Sequence, residues 1–74
     1  MMLSQGQRGK TYTAVGIKLE HEIKRRLEIL GLTQKSKVSV LNLKGNGSMI
    51  IKVRGTRFAI GKQIAEGIIV GEGN

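Results

Sequence analysis

Met49-Ile50-Ile51-Lys52-Val53-Arg54-Gly55-Thr56-Arg57-Phe58-Ala59-Ile60 is the stretch whose reading decides the fold. Two short runs of alternating character flank a glycine. In the first, Met49, Ile51 and Val53 share one side of the pleat, with Lys52 and Arg54 on the other. In the second, Phe58 and Ile60 share the inward side. Side chains alternate with a period of two in a strand, so each run buries one face. Gly55-Thr56 joins them, with Gly55 at the first central position of a type II′ turn. The unit is a β-hairpin.

Working back from that hairpin, Lys37 to Leu43 alternates through Val38 and Val40 and then shifts phase at Leu41 and Leu43. Such a shift suits a bulge or a strand buried on both faces. Gly45-Asn46-Gly47-Ser48 connects it to the hairpin, and Asn-Gly readily adopts the positive φ angles of a tight turn. These three strands form a meander. At the far end, Ile68-Ile69-Val70 is a last short strand. Near the start, Thr11 to Ile17 is rich in β-branched residues, with Thr11, Thr13, Val15 and Ile17 on one side.

One segment breaks the β rhythm. From Leu19 to Leu30, the residues Leu19, Ile23, Leu27 and Leu30 fall within about 80° of one another on a helical wheel. Glu20 to Lys24 and Glu22 to Arg26 are acid-before-base pairs at i,i+4. Gly31 stands where a left-handed residue ends a helix, and Leu32 supplies the hydrophobic contact of a Schellman motif. The start is less defined, for no Ser, Thr, Asp or Asn near residue 18 serves as a cap. The fold class is therefore mainly β: a small five-stranded barrel with one short α-helix inserted after the first strand. The chain reads as a single domain over 1–74, with 1–5 and 71–74 as flexible ends, and closure of the sheet limits its exposed edges.

Composition narrows the function. The chain has 74 residues, 13 Lys plus Arg against 5 Glu, no Asp and a net charge of +8. Such a balance suggests an acidic partner. The cations are nevertheless spread from Arg8 to Lys62, which reads more as a solvated surface than as a footprint. Cysteine is absent, so neither a disulfide nor thiolate chemistry is available. No apolar run approaches the roughly 20 residues of a spanning helix. Residues 1–10 lack the apolar stretch of a secretory signal, which makes the cytoplasm the expected location.

Chemistry is hard to assemble from what remains. His21 is the only histidine, and the glutamates are Glu20, Glu22, Glu28, Glu66 and Glu72. Glu20 and Glu22 diverge by about 200° on a helix, so they form no carboxylate pair. Arg25 holds the position one turn after His21 where a second metal ligand would stand. Catalysis, a resident metal and a cofactor are therefore not expected. Gly6-Gln7-Arg8-Gly9-Lys10-Thr11 contains Gly-Lys-Thr, but only two residues separate its glycines and a strand follows, so it is no phosphate loop. Nucleic-acid binding is the competing reading, since small barrels bind single strands on aromatic platforms. With Tyr12 and Phe58 as the only aromatics, it is disfavoured.

Several segments, in order, resemble the FeoA (ferrous iron transport protein A) family. Ile23-Lys24-Arg25-Arg26-Leu27-Glu28-Ile29-Leu30-Gly31-Leu32-Thr33 is similar to that family's arginine-rich helix running into Leu-Gly-Leu. Val38-Ser39-Val40-Leu41, the run from Ile51 to Ile60 and Ala65-Glu66-Gly67-Ile68-Ile69-Val70 match further segments. The resemblance spans about residues 6–70. Departures fall in turns, at Gln34-Lys35-Ser36, Lys44 to Ser48 and Gly61. The resemblance implies an SH3-like barrel, and a small regulatory accessory of bacterial ferrous iron uptake that is not an enzyme. Its implied partner is the membrane iron permease with a cytosolic GTPase domain (FeoB). The same barrel resembles the C-terminal domain of metal-dependent repressors, which leaves a stand-alone relative of that domain as an alternative.

For partner contact, the expected residues are Glu22, Arg25, Arg26 and Ile29 on the outer helix face and Arg54, Gly55 and Arg57 at the hairpin. Ile29 lies about 240° from Ile23 and so away from the core stripe. Apolar residues inside charged rims often mark interfaces.

Overall fold

The computed structural model describes residues 1–72. Five antiparallel strands make one sheet in the order β4-β3-β2-β1-β5. They are β1 (Thr11–Ile17), β2 (Lys37–Leu43), β3 (Met49–Val53), β4 (Thr56–Ile60) and β5 (Ile68–Glu72). Helix α1 (His21–Ile29) follows β1, and a short helix α2 (Lys62–Gly67) runs directly into β5.

The alternation in 49–60 does what it predicts. Met49, Ile51 and Val53 are buried, Lys52 and Arg54 exposed, Ile60 buried, and Phe58 packs half-buried against the core. The turn itself differs from expectation. Val53 pairs with Thr56, so the loop residues are Arg54 and Gly55, at φ 51° and 81°. Two successive positive φ values define type I′, whose twist matches that of the strands it joins. Glycine is therefore at the second loop position, and Arg54 takes the left-handed conformation at the first.

The phase shift in β2 is a bulge, located between Val40 and Asn42 in the pairing with β3. Val38 and Val40 point inward, whereas Leu41 and Leu43 remain exposed. In the following loop, Asn46 Oδ1 accepts hydrogen bonds from the N–H and hydroxyl of Ser48, and only Gly47 adopts positive φ. In β1 the inward side is the one bearing Tyr12 and Ala14, both buried, rather than the β-branched side. A bulge between Ala14 and Gly16 then shifts the register, which leaves Val15 half exposed and lets Ile17 pack on the core.

Helix α1 is shorter than the periodicity suggests. Lys18 N–H donates to Gly67 O (2.7 Å), and Glu20 is still extended at φ −54°, ψ 149°, so the helix begins only at His21. Its end is a Schellman motif, with Leu32 N–H bonded to Leu27 O (2.8 Å) and Gly31 N–H to Glu28 O (3.0 Å). Leu27 is buried, while Leu19 and Ile23 pack partly buried beside it. Leu30 breaks the expected stripe at 39% exposure. The reversal at Gly31, φ 104°, carries Leu32 into the core at that end instead.

Residues 1–5 are not the loose end the sequence suggests. Leu3 opens a single 3₁₀ turn, Leu3–Gln5, and its side chain is wholly buried. Met1 N donates to Val70 O (2.9 Å), Val70 N–H returns a bond to Met1 O (2.7 Å), and Met2 bridges Ile69. At the other terminus, Gly71 and Glu72 belong to β5, and the rest of the expected loose end lies outside the described residues. The hydrogen-bonded ladder is not closed: it ends at β4 on one side and β5 on the other.

Candidate docking surface

The helix reversal and the hairpin tip are separated by 23 positions in sequence yet adjoin in space. Gly31 has no side chain, and a Cβ there would lie 3.2 Å from Arg54 Cδ and 3.6 Å from its Cβ and Cγ. The aliphatic stem of Arg54 thus lies over Gly31, a contact that long basic side chains make while keeping their charge in water. The left-handed backbone of Arg54 sets that direction. Ile29, Leu30, Gly31, Arg54 and Gly55 consequently share one end of the molecule.

Ile29 is the centre of this surface. It is 78% exposed, the most exposed of the large hydrophobic residues, and Leu30 beside it is 39% exposed. Arg25 is one turn before Ile29 on the same helical face and Arg26 stands three residues before it, both exposed. The result is a small apolar spot rimmed by arginines. Glu22 is also exposed, but it lies about 10 Å up the helix axis from Ile29. Arg57 is exposed on β4 opposite Lys52, on the outward face of the sheet rather than at the tip. Of the seven expected residues, Arg25, Arg26 and Ile29 lie within about one turn of α1, Arg54 and the adjoining Gly55 meet the end of that helix at Gly31, and Glu22 and Arg57 lie further off.

Leu30 and Gly31 are the members that sequence reasoning missed. A signal existed: the Schellman ending already places Leu32 inward, which frees Leu30 from the core.

The competing chemistries find no such assembly. Tyr12 is buried, and its hydroxyl accepts a hydrogen bond from Gln7 N–H at 2.8 Å. Phe58 belongs to the core margin. No aromatic platform for bases is therefore presented among the described residues. Nor do those residues contain a group of three or more His, Asp or Glu side chains able to hold a metal ion. No described helix is long and apolar enough to cross a membrane.

The architecture is thus that of a small SH3-like barrel whose most distinctive exposed feature is the apolar spot at Ile29 and Leu30. Comparison with known families and structures carries this further. The FeoA domain family matches residues 1–72, so the chain belongs to the FeoA family, which is associated with ferrous iron transport. An iron uptake regulatory protein (FeoA) is 35% identical, with a TM-score of 0.83 over 97% of this chain and 95% of that one. The FeoA protein of Chlorobium tepidum is 29% identical, with a TM-score of 0.91 over 97% of this chain and 70% of that one. The FeoA of Stenotrophomonas maltophilia, a zinc complex, is 25% identical, with a TM-score of 0.82 over 96% of this chain and 89% of that one. That protein is described as a prokaryotic SH3 domain protein and a candidate activating factor of bacterial ferrous iron transport. Among curated proteins none matches this sequence.

Proposed function

We propose that this protein is a cytosolic, non-enzymatic accessory of ferrous iron uptake that docks on the cytosolic GTP-binding domain of the FeoB permease. The contact is the end of the barrel formed by the α1 C-terminus and the β3–β4 turn. The observation that carries this reading is Ile29, left 78% exposed beside Arg25 and Arg26 at the helix end that the Arg54 stem meets at Gly31. A buried apolar anchor surrounded by charged residues is how small interfaces concentrate their binding energy. The positive rim suits an acidic docking face and speeds encounter with it. The absence of Cys and Asp and the single His leave little from which to build a catalytic centre, which favours a binding role.

Capture of the purified permease domain tests this directly. Ile29→Glu is expected to weaken binding at least about tenfold, or about 1.4 kcal/mol. Arg25→Ala should produce a smaller loss that disappears as salt is raised. Neither side chain is in the core, so stability should change by less than about 1 kcal/mol. If both variants bind as the parent does, the surface is wrongly placed.

A further inference from the structure

The two ends of the ladder are finished differently. On the outer side of β5, Val70 exchanges backbone hydrogen bonds with Met1, and Met2 bridges Ile69. Among the described residues β4 has β3 as its only neighbouring strand. In a hairpin closed by a two-residue turn, the residues flanking the turn form a bonded pair and bonding alternates from there. Val53 with Thr56, Ile51 with Phe58 and Met49 with Ile60 are then the bonded pairs. The N–H and C=O groups of Arg57 and Ala59 point away from β3 along a free edge, and both residues are exposed.

We propose that this edge accepts an extended acidic segment of a partner protein as an additional strand. Strand addition supplies main-chain bonds, and side chains flanking the edge choose the sequence. Here those side chains are cations. Lys52 lies directly opposite Arg57, an arrangement of like charges that costs stability within a sheet. Neither residue, nor Arg54 at the adjoining turn, takes part in an ion pair among the described residues. All five glutamates lie off this hairpin. A strand with carboxylates at alternate positions would set one beside Arg57 on the outward face and relieve the repulsion with Lys52. A second copy of this chain is the poorer occupant, because β4 against β4 would gather Lys52 and Arg57 of both copies on one face.

This edge is separate from docking at Ile29 and does not depend on it. The test is a titration of the isotope-labelled full chain with a capped (Glu-Val)₃ peptide, a capped (Lys-Val)₃ peptide serving as control. The acidic peptide should slow amide exchange at Arg57 and Ala59 at least about tenfold. The basic peptide should have no effect. Ala59→Pro removes a donor that β3 does not use, at an edge position where proline is tolerated, and should abolish the protection. The double variant Lys52→Glu/Arg57→Glu should transfer the preference to the basic peptide, and it decides the matter if the proline variant fails to fold. Ile29→Glu should take the acidic peptide as the parent does. Unchanged exchange at saturating peptide, equal effects of the two peptides, or protection that rises with protein concentration alone would each overturn the proposal.

Discussion

The β5 side of the barrel and the β4 side are built to different standards. Around β5 the chain closes on itself. Leu3 is wholly buried, the α2 residue Ala65 is equally buried, and Lys18 N–H bonds to Gly67 O. At Gly67 an added Cβ would fall 2.8 Å from Lys18 O and closer still to the Leu19 side chain. The β4 side rests on one hairpin, with Ala59 and Arg57 open to water and Arg54 in a left-handed conformation. Both sides contribute to the core, Ile51 and Val53 as fully as Ile68 and Val70, but only the β5 side has its outer edge covered by the chain itself. Regions that bind partners are commonly drawn from the less stable part of a fold.

Leu3→Ala would strike that contrast hardest. Emptying a wholly buried site should lower stability by about 2–5 kcal/mol, read from the urea midpoint. A loss below about 1 kcal/mol would mean the N-terminal turn is not part of the core. Gly67→Ala comes next, with an expected loss of about 1–3 kcal/mol as Leu19 and the Lys18 carbonyl are pushed aside. If the variant melts with the parent, the close approach of the α2 end to the segment between β1 and α1 is misdescribed.

Amide exchange compares the two edges without any substitution. Val70 N–H, bonded to Met1 O, should exchange at least about tenfold more slowly than Ala59 N–H in the free protein. Equal rates would erase the asymmetry on which the open edge rests. The smallest expected effect is that of Arg54→Asn. Asparagine tolerates the left-handed region better, so the hairpin should gain up to about 1 kcal/mol, partly offset by the lost stem over Gly31. A loss of stability would show that the Arg54 contact outweighs the backbone strain.

Legibility in the sequence followed the range of the interactions. The inward set Met49, Ile51, Val53 and Ile60, the phase shift in β2 and the Gly31–Leu32 helix ending were readable because each is governed by neighbours a few residues away. Leu30 was misread because wheel geometry ignores what the reversal does to the last turn. Helix α2 escaped notice, its six residues being too few to display a period. Of the proposed docking surface, Ile29, Arg25 and Arg26 were visible in the helical pattern, but the contact between Arg54 and Gly31 was not.

By itself the sequence determined the alternation of residues 49–60, the helical face through Ile23 and Leu27 and the reversal at Gly31, because backbone sterics and side-chain periodicity are local. Only the tertiary structure decided which side of β1 turns inward, that Leu3 joins the core, and that one edge of the sheet is occupied while the other stays open. Those outcomes depend on which distant segments compete for the same buried space, and no local preference of the chain encodes the result of that competition.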